Sequence, residues 1–148
     1  MMKLILAAAI AALPMLAHAD AAEDALEARQ GFMKMLSINM GTLSGMAKGD
    51  IAYDAAAATQ AGANIEALSQ YSLPALFIEG TSVDDGVETE ALPAIWSNSD
   101  DFATKFAGLQ EAAAGAGAAV GGGQDAIGPA LQQLGGACKA CHDDYREK

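Results

Sequence analysis

A seven-residue alternation of apolar side chains narrows, more than any other feature, what this chain can fold into. Leu26, Met33 and Met40 recur every seventh position, and Arg29, Leu36 and Leu43 interleave as a second series. Such 3-4-3-4 spacing lays a seam along one helix face, turned toward a partner. The segment stops near Ala47-Lys48-Gly49, a basic residue followed by glycine. A second segment runs from about Asp54 to Tyr71, with Ala57, Ala58, Ala61, Ile65 and Leu68 inside, until Pro74 in SLPALF ends it. The third opens on a capping cluster, Ser99-Asp100-Asp101, and continues through Phe102, Phe106, Leu109, Ala113, Ala116 and Val120. After the GGG break at 121–123, Ile127, Leu131, Leu134, Cys138, Cys141 and Tyr145 repeat the spacing. Pro129 falls early in this fourth segment, where it costs little. Between the second and third segments, 79–95 has no period and reads as a long ordered connection, pinned by Phe77 and Trp96. Alanine dominates the apolar content and aromatics are only 5%, which favours helices over sheets. The expected architecture is all-α, an antiparallel four-helix bundle with one core.

Residues 1–19 stand apart. Lys3, the apolar run LILAAAIAALPMLA and Ala17-His18-Ala19 make a secretory signal peptide, cut before Asp20. A single membrane anchor is the weaker reading, because the run falls short of the roughly 20 residues a span takes and contains Pro14. The remaining domain, 20–148, is then exported and soluble. Loss of Lys3 takes the formal charge from −11 to −12. Such acidity repels nucleic acid and anionic membrane surfaces.

Cys138 and Cys141 are the only cysteines, with His142 directly behind them. Two cysteines in an oxidising compartment usually pair, yet a bridge from i to i+3 closes too small a loop to stabilise much. Cys-x-x-Cys-His is instead the spacing of covalent c-type haem attachment. Two thiols one helical turn apart reach the two vinyl groups on one porphyrin edge, and the next imidazole lies over the ring to ligate iron. A thiol redox pair needs a helix N-terminus after a strand, and zinc needs four ligands where this cluster offers three.

Without the leader, His142 is the only histidine. The opposite face of the iron therefore falls to Met, Lys, a diatomic gas, water or nothing. The methionines after the leader, at 33, 35, 40 and 46, all lie in the first helical segment. Met33 is expected to face the haem, and Met40 to pack in the core. Arg29 sits one turn before Met33, and a guanidinium inside a bundle needs a counter-charge. A haem propionate supplies one; alternatively the seam frays and Arg29 meets water. Arg146, four residues after His142, shares its helix face, and its neighbour is a propionate, the gas-binding face or Asp143. Nothing resembles a nucleophile–base pair, so no enzymatic turnover is expected.

With CKACHDDYR in the last helix, ARQGFMKMLSINMGTL in the first, and LPALF, GTS and LPAIW between, the chain resembles the cytochrome c′ family, the class II c-type cytochromes. The match spans 20–148. The resemblance implies a periplasmic homodimer with haem c attached at Cys138 and Cys141 and ligated by His142. It implies five-coordinate, high-spin iron, with Met33 over the vacant face, Arg29 near a propionate, Arg146 by the proximal face, and Phe77 and Trp96 near the haem or its loop. Carbon monoxide and nitric oxide binding and electron transfer with redox partner proteins follow from it. Many members carry small or branched apolar residues at the Met33 position, and relatives with methionine there can be low-spin and six-coordinate. A low-spin electron carrier with Met33 as sixth ligand is therefore the alternative.

Overall fold

The computed structural model describes residues 14–148, with side chains from position 21 onward. The leader read over 1–19 lies outside the described residues in its first thirteen positions and in all its side chains. Helix α1 spans Pro14–Lys48, and Gly49 turns the chain out of it with φ +79°. Only one of the two interleaved series is fully buried: Arg29, Leu36 and Leu43, joined by Ala25, Phe32 and Met46. Met33 on the other series is 37% exposed. At 3.6 residues per turn the apolar stripe is broad enough to serve two surfaces: Leu43 and Met46 face the core, Met33 a cleft, and Leu36 and Met40 both.

Helix α2, Ala55–Ser69, starts where the Asp54 carboxylate accepts the Ala57 N–H at 2.7 Å. It buries Ala58, Ala61, Gly62, Ile65 and Ser69. SLPALF, expected to stop a helix, forms a single 3-10 turn over Leu73–Leu76. The long connection that follows is a strap. A short 3-10 turn, Val83–Asp85, is closed by a Ser82–Asp85 capping box. The indole N–H of Trp96 donates to the Phe77 carbonyl at 3.0 Å and draws the ends of the strap together.

After the single turn α3, Ala94–Ser97, come α4, Ser99–Ala113, and α5, Ala116–Val120. Two expectations are corrected here. Ser99 is the first helical residue rather than the cap, which is Asn98. The third periodic segment is also two helices, because Gly115 adopts φ +71° and its N–H turns to Glu66 Oε1 at 3.0 Å. Its expected core residues are nonetheless buried, all six from Phe102 to Val120. Helix α6, Gln124–Tyr145, carries Pro129 as its sixth residue and buries Ile127, Leu134 and Tyr145.

The helices α1, α2, α4 with α5, and α6 form an antiparallel four-helix bundle, in which α1 and α6 pack together as do α2 and α5. Among the described residues there is no strand, only an isolated bridge from Ala91 to Arg146 that ties the strap to the end of α6.

Candidate functional site

A cleft of about 710 Å³ lies between α1, α4 and α6, under the strap. That size suits a small-molecule or cofactor site. Arg29, Met33, Phe77, Cys138, Cys141, His142 and Arg146 all line it. Trp96 does not; it holds Phe77 from behind.

Helix α6 supplies the donors. Cys138 and Cys141 are free thiols, each half-buried, one turn apart. Burial pushes both thiols up, Cys141 to about 11. Neither is a thiolate at neutral pH, the opposite of what a reactive redox pair needs. Burial, and next the nearby Arg146 charge, push the His142 imidazole down from its ordinary value. It is therefore neutral near pH 7, with a lone pair available to a metal. Among the described residues no three His, Cys, Asp or Glu side chains converge as a metal cage.

Arg29 faces this group from α1. It is 3% exposed, and burial lowers its proton affinity. Its guanidinium donates to Thr81 Oγ1 at 2.6 Å, the Thr81 carbonyl at 2.5 Å and Thr89 Oγ1 at 3.1 Å. It also lies over the Phe77 ring, 4.7 Å from the centroid. All these partners are neutral, and among the described residues no carboxylate pairs with it. A buried cation without an anion is costly, and an anionic group in this cleft would offset that cost. The alternative that Arg29 meets water is set aside by its burial.

Arg146 pairs with Glu90 of the strap rather than with Asp143, which Lys139 holds. The reason is topological: Arg146 follows the helix end in extended conformation and bridges to Ala91, which brings Glu90 alongside. Met33 lines the α1 wall together with Leu36 and Met40, while Phe106 and Leu109 line the wall from α4. Met40 also packs against the core, as expected.

Several lining residues carried no functional signal in the sequence. Phe102 and Tyr145 read as core, and they are buried, but their rings also continue a wall from Phe77. Edge-to-face contacts run from Phe77 to Phe102 at 4.8 Å and from Phe102 to Tyr145 at 5.2 Å. The Tyr145 hydroxyl anchors this wall on Asp101 at 2.6 Å. Lys105, paired with Asp144 at 2.9 Å, lines the cleft as well. Thr89 and Glu88 line the cleft from the aperiodic strap, where spacing carries no information about partners.

A family model described as cytochrome C′ matches residues 24–146. The chain is 41% identical over 148 residues to the cytochrome c′ of Cereibacter sphaeroides, covering 100% of this chain and 99% of that one. It is 42% identical over 146 residues to cytochrome c-554 of the same organism, covering 98% and 95%. The solved cytochrome c′ from Rhodobacter Spheriodes superposes with a TM-score of 0.80 at 41% identity, covering 86% of this chain and 98% of that one.

Proposed function

This chain belongs to the cytochrome c′ family of c-type haem proteins, and we propose that it is an exported, periplasmic member. It would carry one haem c through thioethers at Cys138 and Cys141, with His142 as the iron ligand. The observation that supports this most is the buried Arg29, without a carboxylate partner, in the same cleft as two thiols and an imidazole. Each residue suits the group. Neutral thiols one turn apart match two vinyl carbons, a neutral imidazole matches a metal, and a buried guanidinium matches a propionate. The apolar side chains of Met33, Phe106 and Leu109 match the porphyrin face.

Bound there, haem supplies an iron that exchanges one electron and takes a diatomic gas such as nitric oxide or carbon monoxide. The rest is the work of the chain. Phe77 flanks Arg29 and limits the water that reaches it. Arg146, held by Glu90, favours the neutral imidazole of His142. Met33 would shield the group without ligating it, so that a bound haem would supply five-coordinate, high-spin iron able to take a gas. An apolar wall offers a gas no hydrogen bond, so selection rests on crowding. No nucleophile–base pair accompanies this site, and we read the protein as a gas-binding and electron-transfer protein rather than an enzyme.

One observation supports a second reading. The Met33 side chain is 37% exposed within the cleft rather than packed in the core, so its thioether is free to serve as sixth ligand in a low-spin electron carrier. Mass and optical spectra of protein made in a cytochrome-maturing host test both. A mass of processed polypeptide plus one haem is expected, and bare polypeptide overturns the proposal. Prompt carbon monoxide binding by the reduced protein supports the open site. A red-edge methionine band that disappears in Met33→Ala supports the second reading.

A homodimer formed through α1 and α2 is part of the proposal. Met35, Ile38 and Tyr71 expose an apolar groove there, at 47%, 58% and 53%. Among the described residues no helix is long and apolar enough to cross a membrane.

A further inference from the structure

We propose that Thr89 is a second donor to the haem carboxylate that Arg29 binds, with its hydroxyl hydrogen directed into the cleft; this rests on the haem reading above. A guanidinium carries five N–H hydrogens. In Arg29, Nη1 gives one to Thr81 Oγ1, and Nη2 gives both of its hydrogens, to the Thr81 carbonyl and to Thr89 Oγ1. Among the described residues the Nε hydrogen and the second Nη1 hydrogen meet no acceptor.

The two threonines are alike as acceptors and differ as donors. Thr81 sends its own hydroxyl hydrogen to the Ile78 carbonyl at 2.6 Å. Thr89 Oγ1 accepts twice, from Arg29 Nη2 at 3.1 Å and from the Ala91 N–H at 3.2 Å. Both its lone pairs are occupied, so its hydrogen must point away from both donors, and among the described residues it has no acceptor. Thr89 also lines the cleft, whereas Thr81 does not.

The Arg29 Nε hydrogen lies on the same guanidinium edge as Nη2, from which Thr89 Oγ1 accepts. It and the Thr89 hydroxyl hydrogen are therefore the unspent donors at one place, while the second Nη1 hydrogen points away from them. A carboxylate, acceptor-only with about four lone-pair sites, is their complement. The acidic side chains nearby do not fill that role. Glu90 is engaged by Arg146, and Glu88, whose carbonyl accepts from Gln30 at 2.7 Å, has an exposed side chain. Hydrogen bonds to a charged acceptor are the strong ones.

Because thioethers would keep haem in place when a donor is removed, the loaded site itself can be read. The propionate bending mode in the resonance Raman spectrum reports hydrogen bonding to the carboxylate, and the midpoint potential reports how far its charge is compensated. Thr89→Val is expected to move the band to lower frequency and to lower the potential, since a less compensated carboxylate favours ferric iron. Thr89→Ser keeps the hydroxyl and is expected to leave both at wild-type values. Thr89→Ala carries the same expectation as valine without added bulk, should the valine variant not accumulate. A band unmoved by valine or alanine, or moved as far by serine, overturns the assignment of Thr89 while leaving the haem reading intact. Wild-type protein whose mass lacks haem overturns the haem reading and this inference with it.

Discussion

The two ends of this bundle are built from the same alanine-rich helices and finish in opposite ways. Where α2 meets α5, backbone touches backbone: a Cβ added to Gly62 would sit 2.8 Å from the Ala116 carbonyl carbon and oxygen. Ala58, Ala113 and Val120 fill that end without residual exposure. Small side chains bury little area each, and close approach compensates through dense dispersion contact. Around the cleft, Phe77, Phe102, Phe106 and Tyr145 line the walls, and a strap caps the space instead of a helix. Small faces close a bundle, and large rings with a tethered loop leave room for a guest.

Four experiments would break or sharpen that contrast. The largest effect is at the open end. Cys138→Ser with Cys141→Ser is expected to abolish covalent haem altogether, scored by haem stain and mass, while His142→Ala retains the haem mass but loses the native iron spectrum. At the closed end, Gly62→Val forces two backbones apart and is expected to cost about 3 kcal/mol in thermal or denaturant unfolding. Arg29→Gln removes donors that hold the strap on α1. Amide exchange across 81–91 is expected to quicken by about tenfold, the effect of roughly 1.4 kcal/mol, with α2 and α5 unchanged.

The smallest effect is a pH slope. Burial, then the hydrogen bond with Asp101, push the Tyr145 phenol up to about 12, against about 10 in an unfolded chain. Between those values the unfolded chain holds fewer protons, so stability falls as pH rises from about 10. Tyr145→Phe is expected to flatten that decline in alkaline unfolding curves. An unchanged slope would show that Tyr145 does not anchor the last turn of α6.

Much of the fold was legible because helix periodicity is a local signal. Phe102, Phe106, Leu109, Ala113, Ala116 and Val120 could be assigned to one buried face from spacing alone, even though Gly115 splits their helix. The exceptions were local choices that tertiary contacts decide. Asn98 rather than Ser99 is the cap of α4, and the carboxylate of Glu66, from another helix, receives the Gly115 N–H. For the site, the thiols and the imidazole share one helix at fixed spacing, so their proximity could be read directly. The partner of Arg146 could not be: Asp143 is near in sequence, but Glu90 is near in space.

By itself the sequence settled the helical class, the buried face from Phe102 to Val120, and the closeness of Cys138, Cys141 and His142. Each of these depends on one segment and a 3.6-residue period. Only the tertiary structure decided which residues of α1 turn to the core and which to the cleft, that Arg29 is buried among neutral oxygens, and that the strap meets both α1 and the end of α6. Those outcomes depend on contacts between residues fifty or more positions apart, such as Arg29 with Thr81 and Glu90 with Arg146. Periodicity within a segment carries no record of them.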